Sequence, residues 1–438
     1  MIAADPCQTS SGGALPPVRR AHALRPRSLA SLLIIVLGCI SLARVPVTVL
    51  AAPTPSGCPN RASSVAVPPE YANAPRRRNP RSRRVQKRDT SVEGYSALVT
   101  FGASYTDNAH ARAAKYLASI RTFAPYSNGR YSNGPVEVEY MVDPTVSPAM
   151  PVAAGVTKVK LIDCECGTSS PRGCLEADKY LKIITLEYHT DAFGGSVILN
   201  GLAGTEGTAS APGIVTQMSM YLNDLKTKTA NVGSGRVLHY FNSGINPVEQ
   251  IWYRSIRNGL STSATQAARI AVTLSVNTYI AGIVKLVNDP TLASDVVTAD
   301  YMVVGIPHLD TVPSFRFLVP SRFSNLDRQQ ALAQLSVLSQ MYNFALQALV
   351  VQLRAAAGPT SRVWYYDLTA LWQEMYKSPG SYGITVSPVT TPCYSKGKLC
   401  ANPKSFLYFD TLHPVTSVHR MMAQNMNAEL SNPQAVIA

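Results

Sequence analysis

The chain has 438 residues, of which 46% are hydrophobic, enough for a large folded core and too apolar for general disorder. Its net charge of +14 is unevenly spread: residues 1–88 hold 14 Lys and Arg against two acids, Asp5 and Glu70, whereas residues 89–438 carry 26 basic and 24 acidic side chains. A folded part so near neutrality lacks the basic face from which nucleic-acid binders draw their affinity, so that class is excluded.

Residues 1–28 are polar and include Arg19, Arg20, Arg25 and Arg27; apolar runs at 29–43 and 45–52 follow. Basic, apolar, then small residues at Leu50-Ala51-Ala52 predict a signal peptide over 1–52 and a secreted protein. The competing reading is an uncleaved anchor through 29–52, the one case in which a membrane would be a partner. Arg44 divides that run into pieces shorter than the ~20 residues a span needs, which favours the signal. Residues 53–88 are rich in Pro, Ser and Arg and bury too little apolar surface to offset their ordering entropy. They read as a disordered linker or propeptide ending at the dibasic Lys87-Arg88, which leaves 89–438 for the folded domain.

The eight cysteines are Cys7, Cys39, Cys58, Cys164, Cys166, Cys174, Cys393 and Cys400. In an oxidising compartment the cheapest pairings close short loops: Cys393 with Cys400, and Cys174 with Cys164 or Cys166. The Cys164-Glu165-Cys166 spacing is not that of a zinc site and has no second ligand pair, so no metal is expected.

From residue 97 onward, β-branched runs at 97–101, 196–200, 236–241, 301–306 and 362–366 alternate with helix-like segments at 212–226, 265–287 and 325–356. In the last of these Leu332, Leu335, Leu338, Met341 and Leu349 fall near a 3.6-residue period. Strands separated by helices imply βαβ crossovers, hence an α/β domain whose mostly parallel sheet is covered on both faces. Trp252, Trp364 and Trp372 read as core, and His419 as part of the last helix. In such a sheet chemistry collects in the loops leaving the strands' C-terminal ends.

Four such loops hold reactive groups. Phe101-Gly102-Ala103-Ser104-Tyr105 sets a serine among small residues at a strand-to-helix turn, where it either presents its hydroxyl above the sheet or caps a helix. Tyr408-Phe409-Asp410-Thr411-Leu412-His413-Pro414 puts a carboxylate three residues from an imidazole, close enough to fix its tautomer. The loop from Asn200 through Gly201, Gly204 and Gly207 offers backbone amides, and Ser243-Gly244-Ile245-Asn246-Pro247 a carboxamide. Singly, each is ordinary turn material.

Their order resembles the GDSL or SGNH hydrolases, esterases and acylhydrolases named for a Ser, Gly, Asn and His. Gly129-Arg130-Tyr131-Ser132-Asn133-Gly134-Pro135 with Glu139-Tyr140, then Gly305-Ile306-Pro307-His308-Leu309, then Cys400-Ala401-Asn402-Pro403 resemble further landmarks, over about 95–428. The resemblance implies a three-layer α/β/α fold with Ser104 as nucleophile, His413 as general base and Asp410 as its orienting carboxylate. It implies an oxyanion hole of the Ser104 amide, the Asn246 side chain and the amide of Gly204, with Gly207 as the alternative. No cofactor is implied. Ala103 and Pro247 stand where the family has aspartates, and Pro247 restricts Asn246 towards extended backbone. The function implied is a secreted, monomeric esterase acting on small-molecule or polysaccharide esters, acetyl esters of carbohydrates first. The alternatives are a lipase or phospholipase and a non-catalytic carbohydrate-binding protein on the same fold.

Overall fold

The computed structural model describes residues 94–110, 114–148, 160–162 and 192–431. The expectations for 1–52 and 53–88, and the pairing of Cys164, Cys166 and Cys174, fall outside those residues. Five strands form one sheet: β1 Tyr95–Gly102, β2 Lys160–Ile162, β3 Arg236–Asn242, β4 Thr298–Val304 and β5 Val363–Tyr366. They are all parallel, in the order β2-β1-β3-β4-β5. Every residue of β1 is buried, as a strand covered on both faces requires.

Nine helices are named here: α1 Glu137–Met141, α2 Ile214–Thr227, α3 Ile245–Arg257, α4 Thr262–Val287, α5 Pro290–Asp295, α6 Pro313–Leu318, α7 Asn325–Ala357, α8 Leu368–Lys377 and α9 Thr416–Leu430. On one face α4 packs against α2, α3 and α7; on the other α9 packs on α1 and reaches β5. Side chains on β3 show the two faces by their alternation. His239 and Phe241 meet the α2 side, through Tyr221 and Phe101, whereas Tyr240 and Asn242 reach Glu137 of α1. The expected α/β/α architecture is therefore present. Trp252, Trp364 and Trp372 are all core residues.

One strand expectation fails. Residues 196–200 are irregular, with only Ser196, Val197 and Ile198 buried, because their carbonyls serve a helix end instead of a sheet neighbour: Val197 O and Ile198 O accept from the amides of Ile214 and Val215 in the first turn of α2. The edge position beside β1 belongs to β2.

Helix starts follow local chemistry. Ser324 and Asp327 cap α7 reciprocally, and Ser261 Oγ accepts from the Ala264 amide at the start of α4. At the start of α3, Gly244 has φ +139°, and a Cβ there would lie 2.5 Å from the Tyr342 ring. Only glycine fits. Pro247 sits in the first turn of α3, where its missing N–H leaves no helical bond unmade, and Asn246 is helical despite the proline after it. The extended conformation expected for Asn246 is thus corrected. Cys393 and Cys400 form the expected disulfide.

Candidate active site

The order 2-1-3-4-5 reverses direction between β1 and β3, and connections leaving in opposite senses open a crevice at their C-terminal ends. Ser104 leaves the end of β1 and Asn246 follows the end of β3. The turn after β1 is tight: Ala103 O accepts the amides of both Thr106 and Asp107 at 3.0 Å. A Cβ on Gly102 would lie 2.6 Å from Asn242 O, so the two strand ends touch because Gly102 has no side chain.

The loop before α9 brings Asp410 and His413 to this turn. Ser104 Oγ–H donates to His413 Nε2 at 2.8 Å in the tautomer whose Nδ1–H donates to Asp410 Oδ2, also at 2.8 Å. Asp410 Oδ1 accepts from the amides of Leu412 and His413 at 2.8 and 2.7 Å, and Asp410 Oδ2 from the Tyr126 hydroxyl at 2.7 Å. Burial works to raise the Asp410 carboxyl, but the His413 charge and the hydrogen bonds from the His413 side chain and the His413 and Leu412 amides outweigh it and hold Asp410 well below the usual carboxylate range. Ser104 and His413 are both buried. Tyr105 OH donates to Leu412 O at 2.8 Å, tying the serine's turn to the histidine's loop. The constellation can relay a proton from the hydroxyl to the imidazole, with Asp410 stabilising the imidazolium.

The sequence expects the glycine of the hole at Gly204 or Gly207, and in the structure both amides are engaged elsewhere. The Gly204 amide donates to Gly201 O at 3.1 Å and the Gly207 amide to Asn200 Oδ1 at 2.9 Å. An amide so committed has no proton left for an oxyanion. Another glycine, Gly194, reaches the turn after β1, and Gly195 follows it in the chain. Phe193 N donates to Gly102 O at 3.1 Å, and the Gly194 amide to Asp107 Oδ2 at 2.7 Å. The amides of Gly195 and Ser104 have no acceptor among the described residues. Asn246 lies beside them, giving one Nδ2 proton to Ser196 O at 2.8 Å and keeping the other. Three donors are thus uncommitted among the described residues: the Ser104 amide, the Gly195 amide and one Nδ2 proton of Asn246, which is bonded through its other proton to the residue after Gly195.

Sequence reasoning also missed several supports. Glu137 is fully buried and accepts from Thr106 Oγ1 at 3.0 Å and from Tyr240 OH and Asn242 Nδ2 at 3.3 Å, while its other oxygen meets His419 Nδ1 at 2.7 Å. The Tyr131 ring lies 4.9 Å from the His413 ring, and a Cβ on Gly194 would fall 2.1 Å from that tyrosine. The doublet Gly194-Gly195 between Phe193 and Ser196 was the available signal for this close approach.

No family model matches the chain. Among curated proteins of Arabidopsis thaliana, a protein named anther-specific proline-rich protein APG is 28% identical over 131 residues, 27% of this chain and 22% of that protein. Another, named a GDSL esterase/lipase, is 24% identical over 139 residues, 30% of this chain and 37% of that protein. The chain thus spans well under half the length of the curated relatives it matches. An extracellular lipase from Streptomyces rimosus aligns with 77% of this chain and all of its own, at 13% identity and a TM-score of 0.31. In its parallel α/β/α fold and in the stretch it shares with a GDSL esterase/lipase, the chain resembles the GDSL/SGNH hydrolases.

Proposed function

We propose that this protein hydrolyses carboxylic esters through an acyl-enzyme on Ser104. The observation that carries the reading is the continuous relay from Ser104 Oγ through His413 to Asp410, with both contacts at 2.8 Å. His413 Nε2 takes the hydroxyl proton as Oγ bonds to the ester carbonyl carbon, whose oxygen becomes the oxyanion facing the Ser104 and Gly195 amides and Asn246. The carbonyl reforms as the C–O bond to the alcohol breaks and His413 gives the leaving oxygen its proton. Water then attacks the acyl-Ser104, losing a proton to His413, which passes it back to Oγ as the acid departs.

Short acyl groups suit a site whose serine is buried and whose imidazole is walled by the rings of Tyr105 and Tyr131; acetyl esters of carbohydrates are the proposed substrates. Secretion is the proposed route, supported by the Cys393–Cys400 disulfide, a bond that persists in oxidising compartments. The test is turnover of p-nitrophenyl esters from acetate to palmitate beside fluorophosphonate labelling. Labelling lost in Ser104→Ala and an optimum at acetate are expected; a folded protein that neither labels nor turns over refutes the enzyme, and an optimum at palmitate refutes the acetylesterase.

A further inference from the structure

Arg121 lies among the rings that flank the catalytic base. Its Cζ is 4.9 Å from the centre of the Tyr131 ring, 5.9 Å from that of Tyr126 and 6.0 Å from that of Phe123. Two of these rings touch the relay directly: Tyr131 stacks obliquely on His413, and the Tyr126 hydroxyl holds Asp410. Arg121 is half-buried, its Nε is buried without a hydrogen-bond partner, and its guanidinium has no ion pair among the described residues. Arg130, on the same loop, shows the ordinary fate of such a group, with a two-pronged bond to Glu139 at 2.6 and 2.8 Å. A guanidinium carries five donors, and holding it against aromatic faces next to a reactive centre leaves its planar fork open to an anion.

The position also indicates which half of the ester it would meet. His413 returns its proton to the leaving alcohol, so the alcohol lies on the imidazole side, and the rings that carry Arg121 stand at His413 and Asp410. Asp410 does not compete for the guanidinium, since its oxygens are taken up by His413, Tyr126 and two amides. We infer that Arg121, with Phe123, Tyr126 and Tyr131, forms an anion-binding subsite for the alcohol portion of the substrate, which selects acyl esters of alcohols bearing a carboxylate, such as sugar acids. This rests on the ester-hydrolase reading above and narrows it.

The test compares 4-acetoxybenzoate with 4-acetoxybenzamide, which share a leaving-group shape and differ by one charge. Wild type should prefer the charged ester, and Arg121→Gln should reduce the charged-to-neutral ratio of kcat/KM about tenfold, the scale of one lost charge-assisted pair. Arg121→Lys, which keeps the charge without the fork, should fall between, and added salt should erode the wild-type preference. An unchanged ratio in Arg121→Gln, or a wild type without preference, overturns the subsite. Calorimetric binding of both esters to Ser104→Ala reads the subsite without turnover. Tighter binding of the benzoate, lost in the Ser104→Ala/Arg121→Gln double variant, supports the subsite even if wild type cleaves neither ester, a result that would sink only the hydrolase reading. Equal affinities overturn the subsite alone.

Discussion

At the scale of single residues, the site depends on hydrogen bonds that leave donors free where charge develops. Asn246 gives one proton to Ser196 O and has a second to offer, so Asn246→Ala removes one hole donor. The expected loss is roughly 100- to 1,000-fold in kcat, measured on p-nitrophenyl acetate, with an unchanged thermal midpoint showing that the fold survives. Tyr126 acts one step further out, through Asp410. Its hydroxyl bond favours the charged carboxylate, which is held below its ordinary range. A depressed carboxyl contributes stability that is complete above the unfolded-state value, about 3.9 for Asp, and lost as pH falls through the folded value. Tyr126→Phe should therefore cost about 1.5 kcal/mol at pH 7, a difference from wild type that persists through pH ~4 and closes only in stronger acid, as pH falls through the depressed folded value and Asp410 protonates in both proteins. Urea denaturation across pH reads it; a deficit that persists unchanged even in that stronger acid would show that Tyr126 acts by packing alone.

At the scale of elements, Glu137 binds α1, α9, β3 and the nucleophile turn into one block. It accepts from Thr106 on the turn and from Tyr240 and Asn242 on β3, and it pairs with His419 on α9. Removing a buried carboxylate strands the groups hydrogen-bonded to it, each costing about 1–3 kcal/mol when left unsatisfied, so Glu137→Ala should destabilise by about 3 kcal/mol or more, visible as a large drop in the urea midpoint. A midpoint near wild type would mean that water replaces the carboxylate. The same network marks where sequence reading stops. The strand–helix alternation, the serine after β1, the asparagine after β3 and the Asp410–His413 pair were legible because each sits within a few residues of a periodicity change. Glu137 was not, since its partners lie up to 282 residues away and a glutamate in a short helix looks like any solvated one. Nor was the glycine of the hole. An oxyanion amide is a backbone group, and only the hydrogen bonds that occupy Gly204 and Gly207 and leave Gly195 open tell the three apart.

At the scale of the whole molecule, the parallel sheet separates reactivity from rigidity by its two ends. The C-terminal ends of β1 and β3 carry the free donors and the relay. The opposite end is held by Asp300 at the start of β4, whose side chain is fully buried. It accepts from Arg236 Nη1 at 2.6 Å, from Arg362 Nη2 at 2.7 Å, from the Arg362 amide at 2.8 Å and from Tyr95 OH at 2.7 Å. Tyr95, Arg236 and Arg362 begin β1, begin β3 and precede β5, so one carboxylate ties the start of four neighbouring strands together. Register is costly to change in a sheet buried on both faces, so the ladder itself sets where the other end delivers Ser104 and Asn246. Asp300→Asn keeps the shape but leaves two guanidinium groups without their counter-charge, for an expected loss of about 3–5 kcal/mol. The molecules that remain folded keep the register set by the ladder itself, so their kcat on p-nitrophenyl acetate should stay within about threefold of wild type, well short of the loss from one hole donor. Measuring kcat per active serine, counted by fluorophosphonate titration, separates the two effects. A hundredfold fall in kcat per labelled serine would show that the two ends of the sheet are coupled, and that the Asp300 cluster positions the catalytic groups as well as holding the fold.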